Sequence, residues 1–381
     1  MIPIANRLHI TNEYYFSTKL KEVHTLEAQG KPIINIGIGS PDLRPPHEVV
    51  ETLENALTSS KVHQYQSYIG LPELRKAMSK FYKKHFNVSL NPDNEILPLM
   101  GSKEGVFHIS MAFLNPGDHV LIPNPGYPTY EAVSKLVQAI PIKYDLCEEN
   151  NWLPDFSKLE KHDLDKVKIM FVNYPHMPTG AVATESFFKK LVAFAKEHKI
   201  LLVNDNPYSF ILNDTLISLL KTKGAKDIAI ELNSISKTFN MSGWRVGMVL
   251  GNEQYLQAIL KVKSNMDSGM FYGIQKGAES ALLLDGKWLL KLNEIYRKRR
   301  ELVWELAKKL NCTFSKNTSG LFVWAKIPNG ISSEMFTDNL LYKKDIFIAP
   351  GTVFGENGEG YVRFSICVSE EKIKEAIERI N

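Results

Sequence analysis

Apolar positions along the chain switch between helical spacing and short continuous runs. Phe16, Leu20, Val23 and Leu26 recur at helical intervals, and Gly30 with Pro32 stops that helix. An apolar strand, Ile33-Ile34-Asn35-Ile36-Gly37-Ile38, follows. Pro45-Pro46 leads into a second helix with Val49, Val50, Leu53 and Leu57 on one face. Pro72 suits the first turn of a third helix, lined by Leu74, Met78 and Phe81. A further helix after Gly101 carries Val106, Phe107, Ser110 and Phe113. Between helices, apolar runs recur at 119–122, 169–173, 200–204, 228–233 and 246–250. They lack polar alternation, so they predict strands buried on both faces of a mostly parallel sheet. Strands alternating with helices predict an α/β fold, and no internal repeat is visible.

The texture changes after Gly273. A long helix is expected from Trp288 to Leu310, then strands at 321–325, 346–349 and 361–366, then a last helix from Glu370 to Ile380. This divides the chain into a large α/β domain, 46–272, and a smaller α+β domain formed by 1–45 and 273–381.

Composition narrows the function classes. With 44% hydrophobic and 23% charged residues over 381 positions, the chain reads as an ordinary globular protein, neither disordered nor fibrous. A net charge of +4, dispersed, argues against a nucleic-acid surface. The densest basic run, Arg297-Lys298-Arg299-Arg300, reads as a solvated helix face. Cys147, Cys312 and Cys367 show no paired spacing, which suits free thiols in a reducing compartment. No apolar run is long enough for a membrane span, and Met1 to Arg7 carries no secretory signature, so a cytoplasmic location is expected. No HExxH metal motif, Walker A loop or GxSxG elbow occurs.

Five stretches carry candidate chemistry. Ser234-Ile235-Ser236-Lys237 ends an apolar strand, and Arg245 follows within Gly243-Trp244-Arg245-Val246-Gly247. Lysine can form a Schiff base with an aldehyde, while serine hydroxyls and an arginine fork can hold a phosphate, as a pyridoxal phosphate site requires. A surface lysine beside a turn is the plain alternative. Asn204-Asp205-Asn206-Pro207-Tyr208 ends another strand, where ligands of open α/β sheets bind. Its carboxylate could pair with a pyridine nitrogen, although Asp, Asn and Pro also make ordinary turns. Gly101-Ser102-Lys103-Glu104-Gly105 opens a helix whose amides suit a phosphate or a simple cap. Tyr127, after Pro125-Gly126, could stack on a flat ring or pack in the core. Arg363, inside Tyr361-Val362-Arg363-Phe364-Ser365, needs a partner if buried; a substrate carboxylate and a structural acid both qualify.

In this order and spacing the stretches resemble the class I/II aminotransferases, fold-type I pyridoxal phosphate enzymes, over nearly the whole chain. The resemblance runs from Asn35-Ile36-Gly37-Ile38-Gly39-Ser40-Pro41-Asp42 to Arg363, and Gln64-Tyr65-Gln66-Ser67-Tyr68-Ile69-Gly70-Leu71-Pro72-Glu73-Leu74-Arg75 looks like the family's segment that crosses the dimer interface. The texture of Gly101 to Gly105 and Pro125 to Pro128 looks most like its aspartate-, alanine- and LL-diaminopimelate-type branch. The resemblance implies a seven-stranded, mostly parallel sheet flanked by helices, and a homodimer with active sites at the interface. It implies Lys237 as the catalytic lysine bound to pyridoxal 5'-phosphate. Asp205 then pairs with the ring nitrogen, Tyr208 and Asn173 lie at the phenolic oxygen, and Tyr127 stacks on the ring. Ser102, Lys103 (through backbone amides), Ser234, Ser236, Arg245 and the partner's Tyr65 hold the phosphate. Arg363 and the backbone at Gly39 bind the substrate carboxylate. One departure stands out: in Asn173-Tyr174-Pro175-His176-Met177-Pro178-Thr179-Gly180, Met177 occupies the family's usual asparagine position and cannot donate a hydrogen bond. His176 or Asn173 is expected to compensate, or Tyr208 to act alone.

The implied reaction moves an amino group from an L-amino acid to a 2-oxo acid in ping-pong fashion. A lyase or decarboxylase on the same scaffold, or a non-catalytic cofactor sensor, would share the cofactor residues. Arg44 and Arg7 are candidates for reading a distal carboxylate, and Tyr14, Tyr15 and Phe16 for a lid.

Overall fold

A computed structural model describes residues 2–380. The buried apolar runs assemble into one seven-stranded sheet. In spatial order its strands are Ile96–Leu99, Gly247–Gly251, Ala229–Ser234, Leu201–Asp205, Val167–Val172, His119–Asn124 and Ile140–Asp145. Every neighbouring pair is parallel except those of Gly247–Gly251, which runs antiparallel to both its neighbours. The two edge strands left the weakest trace in the sequence. Ile96–Leu99 is four residues long and contains Pro98, which an edge tolerates. Ile140–Asp145 is largely half-buried and lacks a continuous apolar run.

Helices cover both faces. Val106 and Ile109 of helix Ser102–Phe113 pack on one face, with Val133 of Thr129–Leu136 and Ile259 of Glu253–Lys263. Leu74, Met78 and Phe81 of Pro72–Phe86 and Leu191 of Glu185–His198 pack on the other. Helix Tyr272–Leu283 lies against His47–Ala56 and Pro72–Phe86 on that second side.

A separate core joins the two ends of the chain. Phe16, Val23, Ile34 and Ile36 pack with Leu292, Tyr296, Val323, Phe347, Phe364 and Ile373. The expected strand at 33–38 pairs only at Ile34–Asn35, parallel to Ile346–Phe347. Asn35 Oδ1 then accepts hydrogen bonds from the Gly37 and Ile38 amides at 3.1 and 3.2 Å and turns the chain away. The expected strand at 346–349 likewise divides. Ala349–Pro350 pairs instead with the antiparallel strand Tyr361–Ser365, which also pairs with Phe322–Lys326.

The long helix, Lys287–Lys309, corrects one expectation. Its basic run is not a uniformly solvated face. Arg297 and Lys298 are exposed, but Arg299 is 4% exposed and Arg300 stacks over Trp304 at 4.8 Å from the ring centroid. Leu292, Tyr296, Arg299, Val303 and Leu306 share the buried stripe, at alternating steps of four and three.

Candidate active site

Three strand ends and the N-terminal segment converge on a cavity of about 490 Å³. Strand Ala229–Ser234 runs into a single helical turn, Ile235–Thr238. The Ser234 Oγ caps that turn by accepting from the Ser236 amide at 3.2 Å, which aims Lys237 into the cavity. Lys237 Nζ donates to the Gly39 carbonyl at 2.7 Å. Burial, reinforced by the nearby positive charges of Arg363 and Arg245, lowers its pKa from the ordinary lysine value.

The neighbouring strand ends in Asp205. One carboxylate oxygen, Oδ2, accepts from Tyr130 Oη at 3.1 Å. The other, Oδ1, is buried with no partner. Burial pushes the Asp205 pKa up to about 7, against the opposing bond from Tyr130. An orphaned buried carboxylate oxygen at a cavity wall calls for a donor from a ligand. A protonated pyridine nitrogen has the right chemistry.

The phosphate end is built from the chain around Gly101. This residue has φ 90° and caps helix Ser102–Phe113, leaving the first-turn amides free to face an anion. A side chain at Gly101 would collide with the Arg245 guanidinium, so glycine is required for arginine to lie over the helix start. Gly247 serves the same approach: a Cβ there would stand 2.7 Å from the Ser102 amide nitrogen. Arg245 Nη1 donates to the Ser242 carbonyl at 2.8 Å, and no carboxylate pairs with Arg245 among the described residues. Ser234 Oγ lies 2.9 Å from Ser236 Oγ, and both hydroxyls line the cavity. These groups form a cradle of donors and one permanent cation, fit for a phosphate.

Arg363 enters from strand Tyr361–Ser365 and is 4% exposed. Its guanidinium lies over the Phe322 ring at 4.0 Å, with Phe354 at 4.6 Å and Phe16 at 5.2 Å. Nη2 donates to the Gly37 carbonyl at 2.7 Å, Nη1 meets Met177 Sδ at 3.4 Å, and Nε has no partner. No acidic side chain pairs with it among the described residues, so the structural-acid alternative finds no support. Burial lowers its pKa to about 10 despite the nearby Tyr208 and Tyr14.

The cavity thus brings together Gly39, Ser102, Lys103, Tyr127, Asn173, Asp205, Tyr208, Ser234, Ser236, Lys237, Arg245 and Arg363. Tyr65 is not among them; it stands 90% exposed on the surface of the single chain. Asn173 lines the cavity, but its amide is spent on the backbone: Nδ2 donates to the Asp205 carbonyl and Oδ1 accepts from the Met177 amide at 2.7 Å. His176 lies outside the cavity and bonds Thr179 through Nδ1 at 2.8 Å. Neither side chain is therefore free to donate into the cavity in place of the donor that Met177 lacks. Arg7 and Arg44 do not line the cavity, whereas Tyr14 and Phe16 do.

Sequence reasoning missed Tyr130 and Phe322. Tyr130 is 1% exposed and stacks on Phe171 at 4.8 Å, so its spacing reads as core; only its position three residues after Tyr127 hints at the cavity.

Comparison with known proteins agrees with this geometry. The family model for aminotransferase class I and II matches residues 31–380. The LL-diaminopimelate aminotransferase of Aquifex aeolicus is 40% identical over 382 residues, covering 100% of this chain and 99% of that protein. That of Maridesulfovibrio salexigens is 41% identical, covering 99% and 98%. Among solved structures, apo-BacF from Bacillus subtilis superposes with TM-score 0.96 at 38% identity, covering 100% of this chain and 98% of that one. A Thermus thermophilus aspartate aminotransferase single mutant gives 0.92 at 25% identity, covering 100% and 99%. The chain belongs to the class I and II aminotransferase family.

Proposed function

We propose that this aminotransferase works through pyridoxal 5'-phosphate bound in the cavity at Lys237, and transfers the amino group of an L-amino acid to a 2-oxo acid. The observation that carries the proposal is the orphaned Asp205 Oδ1 sharing one cavity with the Lys237 amine and with an Arg363 that lacks an acidic partner. Asp205 would hold the ring nitrogen, Tyr208 and, through its placement, Asn173 would lie beside the phenolic oxygen, and Tyr127 would cover the ring. Ser102, the Lys103 amide, Ser234, Ser236 and Arg245 would hold the phosphate, with Tyr65 of the second subunit in a homodimer. A large domain, 46–272, and a small one, 1–45 with 273–381, would place this site at their junction, although helix Tyr272–Leu283 packs in the core of the larger body and so belongs with it.

Pyridoxal phosphate, when bound, supplies an electron sink for the charge left by a departing α-proton. The remaining work falls to the chain. Arg363 takes the α-carboxylate on the side of its guanidinium that carries the unpartnered Nε, and sets the Cα–H bond toward Lys237. Lys237 Nζ, with its basicity moderated by burial, removes the α-proton and returns a proton as general base and then acid. The Gly39 carbonyl, 2.7 Å from Nζ, holds that amine when it carries the extra proton. Phe16, Phe322 and Leu20 screen the site from water. A second 2-oxo acid reverses the sequence.

The relatives named above act, by name, on LL-diaminopimelate. We propose an amino donor that, like LL-diaminopimelate, carries a second carboxylate at its far end. Lys103 Nζ lies 4.6 Å from the Tyr14 ring centroid, lines the cavity and is the basic group left over once Lys237, Arg245 and Arg363 are assigned. A cytoplasmic location is proposed with it; no helix among the described residues is long and apolar enough to cross a membrane.

The test is optical. Purified protein is loaded with pyridoxal phosphate and given single amino acids: glutamate, aspartate, alanine, methionine, aromatic amino acids and LL-diaminopimelate. A donor that converts the visible band to the pyridoxamine form, with a 2-oxo acid restoring it, establishes transamination and names the donor. A stable band that no donor moves points to a lyase or a sensor. No band, with Lys237→Ala making no difference, overturns the cofactor assignment.

A further inference from the structure

The segment from Gly37 to Asp42 touches both Arg363 and Lys237, and one ion pair ties its far end to the long helix. Gly37 O accepts from Arg363 Nη2 and Gly39 O from Lys237 Nζ, each at 2.7 Å. Three residues beyond Gly39, the Asp42 carboxylate meets the Arg299 guanidinium fork to fork, with Oδ1 2.7 Å from Nη1 and Oδ2 3.0 Å from Nη2. Arg299 Nη1 also donates to the Ile366 carbonyl at 3.3 Å. The arginine side chain is 5% exposed and the aspartate 32%.

Two physical points separate this pair from ordinary stabilisation. A partly buried ion pair is weak evidence for stability, because desolvation cancels much of its attraction. A bidentate pair does fix the plane and direction of a carboxylate, and hence of the main chain that carries it. Ile38 and Leu43 pack against the core, but the two residues whose carbonyls are used, Gly37 and Gly39, have no side chain to hold them. A Cβ on either would collide with the Phe347 or Phe322 ring. At one end the Asn35 side chain turns the chain; at the other, Asp42 is the anchor. The two carbonyls between those points set how far Arg363 and Lys237 reach into the cavity.

We propose that Arg299 and Asp42 are positioning residues: their ion pair holds the Gly37 and Gly39 carbonyls in register with Arg363 and Lys237, and so shapes the seat for the substrate α-carboxylate. The inference rests on the assignment of Arg363 to that carboxylate.

The test uses the cofactor-loaded enzyme and its best amino donor. Asp42→Asn, Arg299→Lys and Arg299→Met are each expected to raise KM tenfold or more while kcat falls less than threefold. The α-methyl analogue of the donor, which has no α-proton to lose, should weaken in Kd by the same factor. The double variant Asp42→Asn with Arg299→Met should be no worse than Arg299→Met alone, because the pair acts as one unit. Asp42→Glu should recover part of the loss. Should Arg299→Met fail to fold, Asp42→Asn, at the more exposed partner, carries the test. Unchanged KM and Kd with a lowered Tm would reduce the pair to a structural one and overturn the proposal, as would additive effects in the double variant. If wild type turns over a donor but Arg363→Lys leaves KM untouched, the assignment beneath the proposal fails and the proposal goes with it.

Discussion

At the scale of single residues, the groups that sequence chemistry can name are those whose burial demands a partner. Lys237, Asp205 and Arg363 each stand in or beside an apolar run, where an ionisable side chain is costly unless something answers it. Tyr130 and Arg299 were not legible in the same way. An aromatic at helical spacing, and an arginine in a basic run, each have an ordinary explanation. For Asp205 the structure makes a pH prediction. Its folded pKa of about 7 lies above the ordinary value of 3.8, so the folded, cofactor-free protein binds a proton more tightly than the unfolded chain. The stabilisation from that proton is complete below about pH 4 and is lost as pH rises toward 7. Denaturant melts of cofactor-free wild type should therefore lose stability between these pH values relative to Asp205→Asn, and pyridoxal phosphate should remove the difference. Parallel curves would show that Asp205 is not held uncharged. Tyr130→Phe keeps the ring that stacks on Phe171 and deletes the hydrogen bond to the Asp205 carboxylate. It should cost roughly tenfold in kcat/KM, about 1.4 kcal/mol, with little change in Tm. Met177→Asn restores a donor near the phenolic oxygen. Because hydrogen bonds to a charged form favour it, the visible band of the loaded enzyme should titrate at lower pH. An unmoved titration would show that Met177 tunes nothing.

At the scale of elements, the five central strands and the helices His47–Ala56, Pro72–Phe86 and Ser102–Phe113 were legible because full burial writes continuous apolar runs and helical stripes, whereas Thr129–Leu136, Glu185–His198 and Glu253–Lys263 were not named. The edge strands were not, since Pro98 and the half-exposed Ile140–Asp145 lack that pattern. The long helix shows that more could have been read. The stripe from Leu292 through Tyr296 to Val303 and Leu306 passes through Arg299, so spacing alone placed it inward while composition suggested solvent. The start of helix Ser102–Phe113 carries its own prediction. Gly101 combines φ 90° with a guanidinium where a side chain would stand. Gly101→Ala should strain the backbone and displace Arg245 together, weakening pyridoxal phosphate binding by tenfold or more in an equilibrium titration. Gly117 also has positive φ, 89°, but a Cβ there would meet nothing within 4 Å, so Gly117→Ala serves as the control for strain without displacement.

At the scale of the whole molecule, the one assigned site residue outside the cavity is the most informative. Tyr65 is 90% exposed in a single chain, beside Tyr68 at 44%; Met266 at 60% and Phe271 at 43% flank Gly269, which packs against the Gln66 carbonyl. Apolar surface of this kind suits a contact with another protein, while the backbone just after it is held within its own subunit by Arg75, which donates to the Ile69 and Gly70 carbonyls. A second copy accounts for this surface if Tyr65 reaches the partner's phosphate cradle. In a two-fold dimer the exchange is reciprocal, so each site draws Lys237 from one chain and Tyr65 from the other. This gives a prediction that no single-chain role for Tyr65 can meet. Tyr65→Ala and Lys237→Ala homodimers should both be impaired, the second without measurable turnover. Co-expressed in equal amounts, half of the dimers are mixed, and each mixed dimer holds one site with native Lys237 and native Tyr65. Activity should then rise to about a quarter of wild type, well above the average of the two parents. If Tyr65 acted within its own chain, the mixed dimer would hold one site lacking Tyr65 and one lacking Lys237, and activity would stay at the parental average. A sedimentation measurement on the same samples separates failed recovery from failed pairing: a dimer without recovery removes Tyr65 from the site, and a monomer with full activity removes the shared site altogether.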